Sequence, residues 1–278
     1  MNGFLTGAAR RWFEHRYAEA AARWPIPCEE LEVATEFGPT RVRSCGSADG
    51  SPLILLPGAN GTSLSYAATV AELGARHRIH VLDPIGELGM SRQTAPMPDV
   101  SSTVRWFAET LETLGIERAD LAGTSRGGWI AAAFAVRYPE RVRSLTLLDS
   151  PVFAPLGARF YTWLLGMLPF AFLPEPIRGR IGPLREPDPG FSFVLRANTV
   201  FLPGACAPVP FTDEELRAIT VPSRVVIAEH SALCPATLAH ERATLIPDCQ
   251  VEVLPGRDHF FPLREPDLVA AQILTRTA

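Results

Sequence analysis

Apolar and polar positions along the chain follow two rhythms that take turns. The continuous apolar run at residues 52–56 predicts a strand buried on both faces, and further strands are expected at 77–82, 119–123, 142–148, 223–228 and 249–254. Between them the apolar residues recur at helical spacing. Val104, Phe107, Leu111 and Leu114 place a helix after a cap at Ser101 or Ser102, and further helices are expected at 63–73, 129–138, 236–244 and 268–274. Pro139 ends the third of these, and Pro266 sits in the first turn of the last. Upstream, residues 30–37 and 40–44 read as strands joined at Gly38-Pro39. Residues 3–24 read as an Arg-rich helix anchored by Phe4, Trp12, Phe13 and Trp24 on the outside of the domain. Regular alternation of strand and helix predicts an α/β fold, with a mostly parallel central sheet and helices on both faces.

The alternation breaks between 153 and 220. This stretch is dense in proline, which divides helices into short pieces. It also carries Phe160, Tyr161, Trp163, Leu164, Met167, Phe170 and Phe172. It is expected to form a helical cap inserted in a core built from 1–152 and 221–278. Phe160 and Trp163 are the candidate substrate-binding residues of that cap, although packing on the main domain explains apolar residues there equally well.

One turn stands out for its chemistry. The apolar run at 119–123 leads into Gly123-Thr124-Ser125-Arg126-Gly127, and a helical pattern leaves it. A strand that turns sharply into a helix needs small residues two before and two after the turn. The turn then lifts the Ser125 hydroxyl clear of the sheet, at the positive end of a helix. Arg126 puts a cation at that same end, where the dipole disfavours it. A pocket role is expected for its side chain, binding a carboxylate or enolate-like oxygen of the substrate.

Composition narrows the classes. The 278-residue chain is 47% hydrophobic, enough for one large core or for one core with an inserted cap. Its formal charge of -4 argues against a nucleic-acid or anionic-membrane partner. All 26 basic residues are arginine, so lysine chemistry is absent. Five scattered cysteines without C-x-x-C spacing read as reduced thiols of a cytoplasmic protein, not as a disulfide framework or metal site. Charges at Arg10, Arg11, Glu14 and Arg16 interrupt any signal-peptide pattern. The longest apolar stretch, 160–173, contains Pro169 and is too short to span a bilayer.

Six stretches together resemble the α/β-hydrolase superfamily, in its bacterial carboxylesterase-like branch. They are Phe37-Gly38-x-Thr40-x-Val42, residues 53–61, Asp83-x-x-Gly86-x-x-Gly89-x-Ser91, the Ser125 turn, Phe211 to Leu216, and Pro255-Gly256-x-x-His259. The resemblance implies Ser125 as nucleophile, His259 as general base, and an oxyanion hole from the backbone N–H groups of Ala59 and Arg126. The position where the family carries its acid holds Ser231 here. Three readings follow: Asp149 at the end of the preceding strand serves instead, Glu229 reaches back, or the site has no acid. The implied activity is hydrolysis of a small or medium apolar ester or lactone, with no metal or organic cofactor and a small-molecule substrate as partner. The alternative is a lyase or cyclase on the same scaffold, with His259 abstracting a carbon-bound proton.

Overall fold

The structure is a computed structural model that describes residues 3–174, 177 and 193–276. In chain order its elements are β1 (Gly3–Phe4), α1 (Gly7–Ala21), β2 (Cys28–Val33), β3 (Thr40–Gly46), β4 (Ser51–Leu56), α2 (Val70–Leu73), β5 (His77–Leu82), α3 (Val100–Thr113), β6 (Ala119–Thr124), α4 (Arg126–Arg137) and β7 (Val142–Leu148). There follow α5 (Ala158–Ala171), α6 (Phe193–Ala197), β8 (Phe201–Leu202), α7 (Asp213–Arg217), β9 (Ser223–His230), α8 (Ala236–Ala243), β10 (Cys249–Asp258), α9 (Phe261–Arg264) and α10 (Pro266–Leu274).

Eight strands form one sheet in the order β10-β9-β7-β6-β4-β5-β3-β2. The six from β10 to β5 run parallel, and β3 and β2 add antiparallel at one edge. The central strand β4 carries a continuous apolar run because helices cover both faces of the sheet. Leu53, Ile54, Leu55 and Leu56 of β4 are all fully buried, which stabilises the fold by about 1.5–3 kcal/mol per side chain. One face packs on α3, α4 and α8 through Phe107, Trp129, Phe134 and Ala243, and the other on α2 and α10 through Val70, Leu73 and Ile273. From β4 the chain moves outward to β5, then returns to the other side of β4 as β6. The strand order therefore reverses between β4 and β6, and a crevice opens at their carboxyl ends.

Several boundaries differ from the sequence reading for identifiable reasons. Asp99, not Ser101 or Ser102, caps α3; it accepts from Ser102 N–H at 2.8 Å, and Ser102 completes a capping box. The helix expected at 63–73 divides into a 3₁₀ turn, Ser63–Tyr66, and the short α2. β10 continues through Pro255-Gly256 to Asp258, across a register shift.

The N-terminal segment is not simply laid on the outside. β1 pairs antiparallel with β8, while Phe13 and Tyr17 of α1 are buried with Phe193, Val194 and Ala197 of α6. It thus braces the stretch expected to form the cap. Within that stretch the longest apolar run forms α5, with Pro169 inside the helix. Residues 175, 176 and 178–192 of the expected cap lie outside the described residues. Among the described residues no helix is long and apolar enough to cross a membrane.

Candidate active site

Three non-glycine residues have positive φ among the described residues: Asn60 at 50°, Ser125 at 49° and Asp149 at 44°. All three stand at the carboxyl ends of β4, β6 and β7, around one crevice. Backbone in this region costs of order 1–3 kcal/mol per residue and persists where its surroundings enforce it.

At Ser125 the enforcement is visible. Its N–H donates to the carbonyl of Leu148 at 2.9 Å, and its carbonyl accepts from Ser150 Oγ at 2.9 Å. A Cβ on Gly123 would lie 2.3 Å from the Gly127 backbone, and one on Gly127 would lie 2.0 Å from the carbonyl oxygen of Leu56. Only glycine fits at either position, so the spacing read from the sequence has a steric cause. Ser125 stands at the N-cap of α4, but its side chain makes no capping bond. Its hydroxyl is therefore not spent on the helix it begins.

His259 follows β10. Its Nδ1 lies 2.6 Å from Asp149 Oδ2, and the two side chains are 10% and 4% exposed. Asp149 also accepts from Ser231 Oγ on Oδ2 at 2.8 Å and from Ala228 N–H on Oδ1 at 3.1 Å. A carboxylate can only accept, so this contact places the His259 proton on Nδ1 and leaves Nε2 with its lone pair. Ser231 thus contacts the aspartate and not the imidazole. Its hydroxyl in turn accepts from Leu233 N–H at 3.1 Å. Glu229, the other acid weighed, is exposed and accepts from Gly256 N–H at 2.7 Å in the turn leading to His259. Trp163 of α5 packs edge-on against the His259 ring at 5.5 Å between centroids, and Phe160 stacks on Trp163 at 5.9 Å.

The loop after β4 lies beside Ser125. A Cβ on Gly58 would come 3.4 Å from Ser125 Cβ, which places the neighbouring Ala59 and the start of α4 on the same side of the crevice. Asn60 N–H donates to Glu87 Oε2 at 2.6 Å.

Arg126 departs from its expected role. Its side chain is 5% exposed, with Nε 2.5 Å from Glu87 Oε1 and Nη1 donating to the Cys206 carbonyl at 2.5 Å. Its guanidinium also lies over the Trp129 ring. The charge is engaged by a buried carboxylate, so it is not free to bind an anionic substrate oxygen. Burial raises the Glu87 carboxyl above its ordinary value, and Arg126 and the Asn60 N–H oppose that without cancelling it. Glu87 escaped the sequence reading. Its neighbours Asp83, Gly86 and Gly89 carried the motif, and nothing local tied it to Arg126, 39 positions later in the chain.

A protein family described as alpha/beta hydrolase fold matches residues 51–174. The chain is 28% identical to the uncharacterized carboxylesterase nap of Bacillus subtilis, over 93% of this chain and 89% of that protein. The solved carboxylesterase CesB (YbfK) of B. subtilis superposes with a TM-score of 0.87 at 27% identity, covering 97% of this chain and 98% of the other. The B. subtilis naproxen esterase gives 0.81 at 26% identity, covering 95% and 96%.

The chain has the α/β-hydrolase fold, and its likeness to these carboxylesterases marks it as a hydrolase enzyme. Among the described residues of this hydrolase, no cluster of three or more His, Cys, Asp or Glu side chains could hold a metal ion.

Proposed function

We propose that this hydrolase cleaves small or medium apolar carboxylic esters through an acyl-enzyme on Ser125. The 2.6 Å contact between His259 Nδ1 and Asp149 Oδ2 carries this reading. It supplies the fixed tautomer a general base needs, and the strained turn leaves the Ser125 hydroxyl uncommitted to its helix. His259 Nε2 takes the proton as Ser125 Oγ attacks the ester carbonyl. Negative charge then develops on the carbonyl oxygen, where the N–H groups of Ala59 and Arg126 receive it. The imidazolium returns its proton to the leaving alcohol, and water repeats the sequence to release the acid. Asp149 holds the ring and stabilises its charge without being protonated itself.

In this scheme Asp149 fills the role that the family's later acid fills elsewhere, and Ser231 orients it. Glu87 positions the oxyanion loop through Asn60, and the side chain of Arg126 serves that buried pair. The aromatic pair Phe160 and Trp163 lines the acyl side, which favours apolar substrates, and residues 153–220 act as the cap.

The test is Ser125→Ala. Labelling by a fluorophosphonate probe is lost, and kcat on a p-nitrophenyl ester falls by about 10⁶-fold while the melting curve is retained. Turnover at the wild-type rate would rule out the covalent route. Recovery of acid and alcohol in equal amounts from the wild type, with one oxygen from water, separates hydrolysis from elimination.

A further inference from the structure

Far from the crevice, at the antiparallel edge of the sheet, two of the five cysteines face one another. In the β2–β3 register Cys28 stands directly opposite Cys45. Directly paired residues of antiparallel strands project to the same face, with Cα atoms about 4.5 Å or 5.5 Å apart according to the type of pair. Both spacings fall inside the range of about 4.4–6.8 Å that a disulfide bridges. Both are free thiols, and Cys28 Sγ donates to the Glu29 carbonyl at 3.6 Å. Cys45 is buried and Cys28 half-buried, so Cys28 is the more accessible residue of the two.

The surroundings distinguish the pair chemically. Two positions along from Cys45, on the same face, Arg43 is 2% exposed, ion-paired to Glu30 at 2.9 Å and stacked over Tyr17 and Trp24. Glu30 is Arg43's partner across the ladder, two residues from Cys28. Cys45 and the Arg43 guanidinium favour the Cys28 thiolate, burial and Glu30 oppose it, and the balance brings the thiol down to about 7. The Cys45 thiol moves the other way, raised by Cys28 and by burial, with Trp24 and Arg78 opposing. Cys234 and Cys249 are likewise pushed up by burial, to about 11.

We propose that Cys28 and Cys45 form an oxidisable dithiol, with Cys28 the attacking and Cys45 the resolving thiol, modified by hydrogen peroxide. The Cys28 thiolate displaces hydroxide from peroxide, its sulfur gaining one oxygen as the O–O bond breaks, and the hydroxide leaves as water with one proton. The Cys45 sulfur then attacks the Cys28 sulfenic sulfur. The S–S bond forms, the S–O bond breaks, and the departing hydroxyl takes the Cys45 proton as a second water. Two electrons pass from the pair to one peroxide. The product is a cross-strand bridge between the edge strand and its neighbour, reopened by an added dithiol.

The test uses the full chain, reduced and then exposed to peroxide before alkylation with N-ethylmaleimide. Intact mass is expected to show five adducts before oxidation and three after, with dithiothreitol restoring five. Cleavage after arginine separates Cys28 from Cys45, because Arg41 and Arg43 lie between them. A Cys28-containing and a Cys45-containing peptide that migrate together until reduced identify the bridge. Cys45→Ser accumulates a dimedone-reactive sulfenic acid on Cys28, and Cys28→Ser does not. Five adducts after oxidation, or a bridge involving Cys206, Cys234 or Cys249, would overturn the proposal. So would alkylation of Cys28 no faster than that of the other four at neutral pH. The wild-type measurements decide the matter even where a serine variant does not fold.

Discussion

Replacing Asp149 with asparagine tests the site at its most constrained point. The carboxylate receives three donors: Ala228 N–H on Oδ1, and Ser231 Oγ and His259 Nδ1 on Oδ2. An asparagine offers one accepting oxygen and one donating nitrogen. If the nitrogen faces Ala228, two N–H groups oppose each other in a buried site, at about 1–3 kcal/mol. If it faces His259, Nδ1 must accept, the ring proton moves to Nε2, and the nitrogen meant to take the serine proton no longer can. Either arrangement also removes the charge that stabilises imidazolium. In serine-protease chemistry the same change lowers kcat by about 10⁴-fold, equivalent to about 5 kcal/mol of transition-state stabilisation. We expect a kcat decrease of that order on a p-nitrophenyl ester, with KM within a few-fold of wild type. A general loss of folding would move the melting curve and the yield of active enzyme instead. A well-folded Asp149→Asn variant with kcat within tenfold of wild type would refute the role assigned to Asp149.

Three further outcomes follow from the same geometry. Ser231→Asp places a second carboxylate where a hydroxyl now donates to Asp149. Like-charge repulsion raises the pKa of one of the two, so kcat should fall and the acid limb of the pH–rate profile should move to higher pH; a gain in hydrolysis would show the new acid acting directly on His259. Trp163→Ala removes the ring packed against His259 and should change relative rates among acyl chain lengths more than the thermal midpoint; equal loss on every ester would mark the residue as packing alone. Arg126→Met leaves the Glu87 carboxylate buried without its partner, at about 3–5 kcal/mol of unfolding free energy in denaturant titration, and activity should drop on charged and neutral esters alike. Adding Glu87→Met to that variant should recover much of the loss, whereas selective weakening on anionic substrates would return Arg126 to the pocket.

The sequence determined what depends on neighbouring residues. The apolar run at 52–56 became the buried parallel strand β4 because a strand covered on both faces has no polar side to display. The Gly123-x-Ser125-x-Gly127 turn was legible from its spacing: Gly123 is required by the Gly127 backbone within the turn itself, while the wall that requires Gly127 is Leu56 of the neighbouring strand. The histidine after the last strand could be placed by its position in the chain order. What the sequence left open was contact between distant segments. Asp149 and His259 stand 110 positions apart and Asp149 and Ser231 stand 82 apart, and their meeting depends on β7, β9 and β10 lying side by side. Helical position predicted that the Arg126 side chain would enter the cavity. Tertiary structure decided otherwise, because a buried guanidinium pairs with whatever carboxylate the fold brings within reach, and here that is Glu87. Cys28 and Cys45 looked scattered along the chain and became partners through a strand register, which hairpin pairing sets and cysteine spacing does not.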